Sequence, residues 1–532
     1  MEFEGHEVFN LAMAVDEAAR KWGDRVALFH YETGKKVTFG EVSHMSSRVG
    51  NGLRALGVEV EDRVAILMED CPEWVYVLYG TFKIGAVFIL LNTLLTEKDY
   101  AFFLSDSRAK VLFVGENLFE KIAGILPSVP HLRHVVVCGG GHRGGQDRVM
   151  SWEAFIKDAS GELQIEPTLS SDVAVFAYTS GSTGRPRAIM HSHNNLMMGA
   201  LPFEDVYGVR EGDIQFHIPK LYFLTTVGGL NSAFRSGSSL VLLSGRPIPS
   251  TVFKLIAEYR PTFLQGPPTI YARMVDTARE APHLVDLSSI RYIYCSGEAL
   301  PLELFLRFKE TFGKPLYNCW GAQELSAAPL SWWEGEEVPE GKGGSAGKSP
   351  CLGAQVKIVD EDGKEVPNGT VGEILIRIGS QFLGYWHDPK ATASKFFGGW
   401  YRPGDSFMRD KDGYYWYLGR LDDMVKVAGR QIFPAEVEEV VGRHPAVMEN
   451  AVIPVKNPLG LTELCAFVIV KEGYRGSPEM AAEIQEFVKE KLAPFKRPHH
   501  VEFVSELPKT STGKIQRFLL KEEVEKRGTK PS

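Results

Sequence analysis

The chain runs to 532 residues, 44% of them hydrophobic, which is too long for one ordinary core and rich enough in apolar side chains to fill several. Its formal net charge of -8, with no block of clustered Lys and Arg, excludes the basic footprint of a nucleic-acid-binding protein and leaves small molecules as the expected partners. Cys71, Cys138, Cys295, Cys319, Cys351 and Cys465 lie far apart without a C-x-x-C pair, so neither a disulfide framework nor a zinc site is expected. In chain order, the opening MEFEGHEVFN has no basic or apolar leader pattern, and the longest apolar run, around IGAVFILLNTLL, is too short to span a bilayer. The expectation is a cytoplasmic enzyme without a membrane partner, as a monomer or a homodimer.

Short β-branched runs then alternate with helical patterns. RVAILM leads into PEWVYVLYGTFKIG, and AKVLFVG into ENLFEKIAGIL, the rhythm of βα units around a largely parallel sheet. GGGHRGGQDR, 139–148, has the composition of a flexible surface loop. From about residue 340 the texture changes to Gly, Pro and Asp turns between short strands, in GAQVKIVDEDGKEVPNGTVGEILIR and GYYWYLGR, and these predict hairpins. After GRLDDMVKVAGRQIFP, two helical stretches, AEVEEVVGRH and EMAAEIQEFVKEKL, enclose the strand-like AVIPV and LCAFVIV. The predicted class is α/β: a large N-terminal domain of βα-layered sheets with a β-rich subdomain, 1–421, followed by a small α+β C-terminal domain, 422–532.

One segment carries more chemistry than its neighbours. In AYTSGSTGRPRAIMHSHNN, 177–195, an apolar run is followed by two glycines, hydroxyl side chains and two arginines. DVAVFAY reads as a buried strand and SHNNLMMGAL as a helix start, which puts 179–187 in a strand-to-helix turn. Glycines there allow close backbone approach to an anion, while Ser and Thr hydroxyls add donors and Arg185 and Arg187 add charge. The spacing fits neither G-x-x-x-x-G-K-[ST] nor G-x-G-x-x-G, so a third kind of nucleotide loop is required.

YTSGSTGRPRAIMHSH resembles the phosphate loop of the acyl-adenylate-forming superfamily, which comprises acyl-CoA synthetases, adenylation domains and beetle luciferases. Four further motifs agree in order: YNCWGAQE (317–324), GWYRPGD (399–405), GRLDDMVKVAGRQIFPAEVE (419–438) and PKTSTGKIQR (508–517). NTLLTEKDYAFFLSDSRAKVL (92–112) is similar to the benzoate-CoA ligase branch, and PKLYFLTTVGGLNSAF (219–234) is so less closely. The resemblance implies an ATP-dependent carboxylic acid-CoA ligase that makes an acyl-AMP and then a thioester. Its small domain is expected to be mobile, and ATP, Mg2+ and coenzyme A are the implied cofactors and co-substrates.

The same resemblance distributes roles. Thr179, Ser180, Gly181, Ser182, Thr183, Gly184 and Arg187 are expected around the phosphates, Trp320 on adenine, and Gln323 among the residues that bind the nucleotide. Glu324 is the metal-linked carboxylate; Asp405 is expected at the ribose, and Arg420, beside Asp422, near it. A carboxylate can accept from both ribose hydroxyls, and a cation bridging phosphates typically needs only one or two protein carboxylates. Lys514 is the catalytic cation for a transition state whose charge spreads over phosphoryl oxygens. Asp422 is the implied hinge, and Gly429 lines the implied tunnel for the pantetheine thiol. Trp320 stands where the family has Tyr, Gln323 where it has Thr, and Arg187 with Ala188 where it has Lys-Gly.

The acid pocket is expected from Tyr222, Phe223, Leu224, Thr225 and Thr226, with Ser296 and Gly297. That segment has no aspartate for an α-ammonium, and its apolar side chains with a few hydroxyls suit an aryl, alicyclic or short acyl acid. Benzoate or a substituted benzoate is the leading expectation. A stand-alone enzyme loading a carrier protein, or a ligase for alicyclic or short and medium-chain fatty acids, is the alternative; a non-catalytic nucleotide-binding relative is disfavoured by Lys514, Glu324 and Asp405 together. The chain ends soon after PKTSTGKIQR without a carrier segment, which favours free coenzyme A. His193 and His217 lie near the segment, and a lone His is more often structural than catalytic.

Overall fold

The computed structural model describes residues 2–3, 6–7, 9–140, 148–179, 186–351, 353–427, 430–457, 460–509 and 515–527. The chain divides into two compact units, one formed by residues 1–356 and 376–401, the other by 357–375 and 402–532.

The first unit is built on two sheets. In one, strands run in the order 384–385, 187–192, 173–179, 87–90, 63–67, 111–115, 134–138 and 149–151. From 173–179 to 149–151 the neighbours are parallel, as βα repetition predicts, while 187–192 and 384–385 add antiparallel strands at one edge. In the other, the order is 317–318, 292–295, 263–266, 214–217, 239–242, 26–30 and 35–38, parallel except for the last hairpin.

Successive residues of a strand point to opposite faces, and the first sheet is apolar on both. Val64, Ile66, Phe88 and Leu90 join one core cluster, with Trp74, Tyr79, Phe82 and residues of the second sheet such as Leu28 and Leu240. Ala65, Leu67, Val87 and Ile89 join another, with Tyr100, Phe103, Phe119 and Ile122 of the helices Glu97–Asp106 and Glu116–Ala123. The helix Pro72–Lys83 lies in the first cluster and is buried from Trp74 onward. It crosses the helix Phe39–Ala55 closely: a Cβ on Gly80 would meet Val49 at 2.6 Å and the Ser46 carbonyl at 2.7 Å, so only glycine fits there. Lys83 is buried at the helix end, its ammonium donating to Asp16 at 2.5 Å and Ser47 at 2.9 Å.

The second unit opens with the antiparallel pairings of 371–375 with 405–409 and of 405–409 with 415–420. The hairpin 425–427/430–432 follows, then the helix Pro434–Gly442, the long antiparallel pair Val447–Lys456 and Thr462–Val470, the helix Pro478–Lys491, the strand His500–Phe503 parallel to 462–470, and the helix Arg517–Lys526. The three-stranded sheet again divides its residues by period two. Val452, Leu464, Ala466 and Val468 face Val437, Val441, Ile484 and Val488, whereas Ala451, Ile453, Cys465 and Phe467 pack with Leu520 and Val524. This unit takes in 402–421, upstream of the expected boundary, because those residues pair with 357–375; a hinge for motion need not coincide with the edge of compactness.

No helix among the described residues is long and apolar enough to cross a membrane. All six cysteines are free; Cys71 is partly exposed and the other five are buried. Most of GGGHRGGQDR, at 141–147, lies outside the described residues.

Candidate active site

The Ser/Thr/Gly loop does not join a strand to a helix. Val173–Thr179 and Arg187–Ser192 are antiparallel neighbours, with Thr179 opposite Arg187 and Phe176 opposite Met190, so the loop closes a hairpin. RAIMHS forms a strand because Ala188, Ile189 and His191 are buried within the sheet, and the helix begins only at His193. Ser192 caps it reciprocally: its hydroxyl accepts from Asn195 N at 3.1 Å and Asn195 Oδ1 accepts from Ser192 N at 3.1 Å. The expected strand-to-helix turn is thereby corrected. The expected phosphate contacts Ser180, Gly181, Ser182, Thr183 and Gly184 lie outside the described residues.

Beyond the hairpin, Ile189 pairs with Tyr385 in the edge strand 384–385, and this register gathers a polar group. Tyr385 donates its hydroxyl to Glu324 Oε1 at 2.7 Å. Arg187 donates from Nε to Asp388 Oδ2 at 3.0 Å, and its guanidinium carbon stands 5.7 Å from the Tyr385 ring centroid. Asp388 also caps the helix Pro389–Ser394 by accepting from Ala391 N, and that bond, ahead of the Arg187 contact, holds its carboxyl below the usual range. Arg187 and Glu324 thus meet around one tyrosine. No motif in the sequence points to Tyr385 or Asp388. Their local signal is GYWHDP, a Gly-Tyr pair followed by an Asp-Pro helix start.

Trp320 and Gln323 reach this region through the short hairpin 320–322/327–330, in which Trp320 lies opposite Leu330 and is partly exposed. The Gln323 carbonyl accepts from His191 Nε2 at 2.8 Å, and the Glu324 carbonyl accepts from Phe382 N at 2.7 Å. Burial depresses the His191 pKa to about 4, so its ring is neutral with the proton on Nε2. Ser326 follows at φ 49, in the left-handed region costly for a residue with a side chain. Near this strained turn, Gln323 Oε1, His191 Nδ1 and Ser326 Oγ are buried without hydrogen-bond partners, an arrangement that suits a polar ligand or water.

The acid-side segment is a tight turn into the helix Leu224–Ser236. Phe223 N donates to the Lys220 carbonyl at 3.0 Å and the Thr226 hydroxyl to the Pro219 carbonyl at 3.0 Å. Leu224 and Thr226 are buried, while Tyr222, Phe223 and Thr225 keep partial exposure. The accessible face of the expected pocket is therefore the tilted Tyr222–Phe223 pair, ring centroids 4.8 Å apart, and Thr225. Ser296 and Gly297 follow the strand Tyr292–Cys295; Gly297 is exposed at φ 98, and a Cβ there would meet no atom within 4 Å. His217 faces Gln265 through Nδ1 and Gln215 through Nε2, and burial lowers its pKa to about 4. His193 accepts from Leu11 N at 3.2 Å and is lowered to about 3 by the same cause. Both are neutral packing histidines.

In the second unit, Asp405 opens the strand Asp405–Arg409 after Gly404, whose φ of 83 permits the turn. Register puts Asp405 opposite Arg420, and Arg420 Nη1 donates to Asp405 Oδ1 at 2.7 Å and to the Pro403 carbonyl at 2.9 Å. Asp422 lies 3.6 Å from the same guanidinium and is 70% exposed. Gly429 and Lys514 lie outside the described residues. The base of the lysine segment is described: Lys509 bridges to Ile515, Gln516 N donates to the Pro508 carbonyl at 2.8 Å, and Arg517 grips Glu438 with Nε at 2.9 Å and Nη2 at 2.6 Å.

Among the described residues no group of three or more His, Cys, Asp or Glu could hold a metal. A cation here would therefore depend on ligand oxygens as well as on Glu324.

Known proteins resemble the chain along most of its length. The benzoate--CoA ligase of Thauera aromatica is 37% identical over 488 residues, covering 91% of this chain and 90% of that protein. The 3-hydroxybenzoate--CoA ligase of an Aromatoleum species is 36% identical, covering 92% of each. A crystal structure of an anthranilate CoA ligase in complex with anthranoyl-AMP superposes with a TM-score of 0.88 at 36% identity, covering 96% of both chains. The AMP-binding enzyme family matches residues 15–386 and the AMP-binding enzyme C-terminal domain matches 436–514. With these two matches in order, and the first alone spanning more than half of its residues, the chain belongs to the AMP-binding enzyme family.

Proposed function

We propose that the protein is an AMP-forming acid-thiol ligase that activates an aryl carboxylic acid with ATP and transfers the acyl group to coenzyme A. The observation that carries this reading is the meeting of Arg187, Tyr385 and Glu324 beside Thr179, at the edge where the Ser/Thr/Gly loop leaves the sheet. Benzoate and hydroxybenzoate as the named acids of the relatives, and the partly exposed aromatic pair Tyr222 and Phe223, support an aryl acid over a fatty one.

In the first half-reaction a carboxylate oxygen of the acid attacks the α-phosphorus of ATP. An O–P bond forms, the bond to the β-phosphate bridging oxygen breaks, and pyrophosphate leaves with the electron pair. No enzyme nucleophile is needed, so positioning and charge are the protein's contribution. Arg187 would face the outer phosphates and Lys514 the reacting phosphoryl group; Asp405 would accept from the ribose hydroxyls, with Arg420 fixing its carboxylate. Glu324 fits magnesium: its carboxylate is partly exposed, Tyr385 fixes one oxygen, and a cation already on phosphate oxygens adds only one or two protein carboxylates. When bound, that cation would neutralise phosphate charge. In the second half-reaction the thiol sulfur attacks the acyl carbonyl, the thiol proton is lost, and AMP departs as the carbonyl re-forms. The pivot at Asp422 would bring the Gly429 face into use for this step.

The test is acid-dependent ATP–pyrophosphate exchange across benzoate, hydroxybenzoates, aminobenzoates, cyclohexanecarboxylate and short fatty acids, followed by thioester formation with and without coenzyme A. Exchange driven by an aryl acid, with a coenzyme A thioester as product, is the expected result. A fatty or alicyclic acid leading the series, or adenylate that coenzyme A does not consume, would overturn the proposal. Thr225→Phe should also reorder the accepted acids; an unchanged order would remove 222–226 from the acid pocket.

A further inference from the structure

A polar knot outside the reacting groups lies directly under the acid-side turn. Asp70 follows the strand Arg63–Leu67 and is 4% exposed, an uncommon setting for a carboxylate. Its Oδ1 accepts from Leu221 N at 3.0 Å, and its own carbonyl accepts from the Ser244 hydroxyl at 2.8 Å. The neighbouring Lys220 spends its ammonium on three carbonyls of another loop, those of Leu243, Ser244 at 2.9 Å and Gly245 at 2.8 Å. That loop is fixed from its other side, since Glu32 accepts from Ser244 N at 3.0 Å and Gly245 N at 2.6 Å, and His30 Nε2 lies 2.8 Å from the Ser244 hydroxyl. Lys220 and Leu221 are thus held from two directions immediately before Tyr222, Phe223 and Thr225.

We propose that Asp70 is a positioning residue for acid recognition: its ionised carboxylate holds Leu221 N–H and thereby sets where Tyr222, Phe223 and Thr225 stand. This rests on the reading of 222–226 as the acid pocket. Burial without a strong partner explains why the carboxylate is also sensitive to pH. Desolvation raises its pKa to about 6, opposed by the charge of Lys220 and the Leu221 N–H and reinforced by Glu69 and Glu32. Those three side chains, with Tyr222, whose largest charged neighbour is Asp70, and the adjacent Cys71 thiol, are the titratable groups facing it. On protonation the carboxyl keeps an acceptor but loses its charge, and a bond to a neutral acceptor is weaker than one to a carboxylate. Acid affinity should therefore fall as pH drops through about 6, while ATP affinity does not depend on this group.

The experiment measures KM for acid and for ATP in pyrophosphate exchange, from about pH 8 to about pH 5.5, for the wild type, Asp70→Asn and Asp70→Ala, always as a ratio to the wild type at the same pH so that ionisation of ATP cancels. Asp70→Asn is nearly isosteric and keeps an acceptor for Leu221 N–H. It should raise the acid KM about fivefold at pH 8 with the ATP KM unchanged, and the difference should shrink to about twofold at the acid end, where most of the wild-type carboxylate is protonated. Asp70→Ala should raise it further and change the order of accepted acids. A fall in thermal stability with wild-type acid KM, or an equal rise in both KM values, would mean that Asp70 is only structural and would overturn the inference. Thr225→Phe is run alongside. If it reorders the acids and the Asp70 variants do not, the positioning role fails and the pocket stands; if it does not, the pocket itself is misplaced and this inference falls with it.

Discussion

Tyr385→Phe removes a single oxygen from the centre of the polar group at the sheet edge. The ring stays, and with it the packing on Phe382 at 5.1 Å and the approach of Arg187 at 5.7 Å. What is lost is the 2.7 Å hydrogen bond from a phenol that is 5% exposed to Glu324 Oε1. A hydrogen bond to an ionised acceptor is worth about 1.5–3 kcal/mol net, and the partial exposure of Glu324, which lets water substitute, argues for the lower end. If Glu324 acts at the phosphates, about 1.5 kcal/mol of lost positioning corresponds to about a tenfold fall in the adenylation rate. Pyrophosphate exchange with magnesium titrated reads this directly: turnover should fall about tenfold and half-saturating magnesium should rise, with acid KM within about twofold of wild type. Calorimetry or denaturant melting separates this from damage to the fold. Wild-type turnover and wild-type magnesium dependence in a normally stable variant would show that Tyr385 does not orient Glu324.

Lys514→Ala should cost adenylation at least the roughly 10²- to 10³-fold that one transition-state donor is worth, while conversion of supplied acyl-AMP and coenzyme A stays within a few-fold; Asp422→Pro should do the reverse, and equal losses in both half-reactions for both variants would refute the domain swing. Arg187→Ala should raise the ATP KM far more than the acid KM, and unchanged ATP parameters would remove Arg187 from the phosphate site. Stability should fall as pH drops from about 6 to about 4: the folded-state pKa values of His191, His193 and His217, near 4, 3 and 4, lie below the unfolded value, so their contribution is complete above about 6.5 and is lost on acidification. Asp70, raised to about 6, offsets one of these three protons, leaving about 3 kcal/mol per pH unit at the steepest point. Denaturant midpoints that do not move across this range would show the histidines to be solvated.

The βα rhythm is readable because both faces of a parallel sheet must be apolar, and runs such as RVAILM and AKVLFVG advertise that. RAIMHS is not readable as a strand. It follows a loop of phosphate-loop composition and precedes a true helix start, and its strand character comes from pairing with 173–179 on one side and 384–385 on the other, the first partner hidden by the loop between and the second distant in sequence. The motifs locate Glu324, Asp405 and Arg420, and register then supplies the Asp405–Arg420 pair. Tyr385, Asp388 and Asp70 escape notice for one reason: each is an ordinary residue in its own segment and acquires a role only through a partner 61 to 201 positions away. Thr226 goes the other way, its hydroxyl being engaged by Pro219 seven residues earlier.

The five buried thiols give the fold a built-in set of clocks. Cys138 ends a strand of the first sheet, Cys295 ends a strand of the second with Cys319 hydrogen-bonded to its carbonyl, and Cys465 sits in the sheet of the second unit. Desolvation raises every one of these pKa values, Cys319 to about 12, so none reacts as a thiolate while its surroundings stay closed. Burial raises the Cys71 thiol as well, so a thiol reagent added to the native protein would mark even this partly exposed cysteine slowly, and Cys138, Cys295 and Cys465 only when their sheets open. Peptide mapping of the labelled sites over time would then rank the two sheets and the smaller unit by how often each one breathes, without any engineered probe.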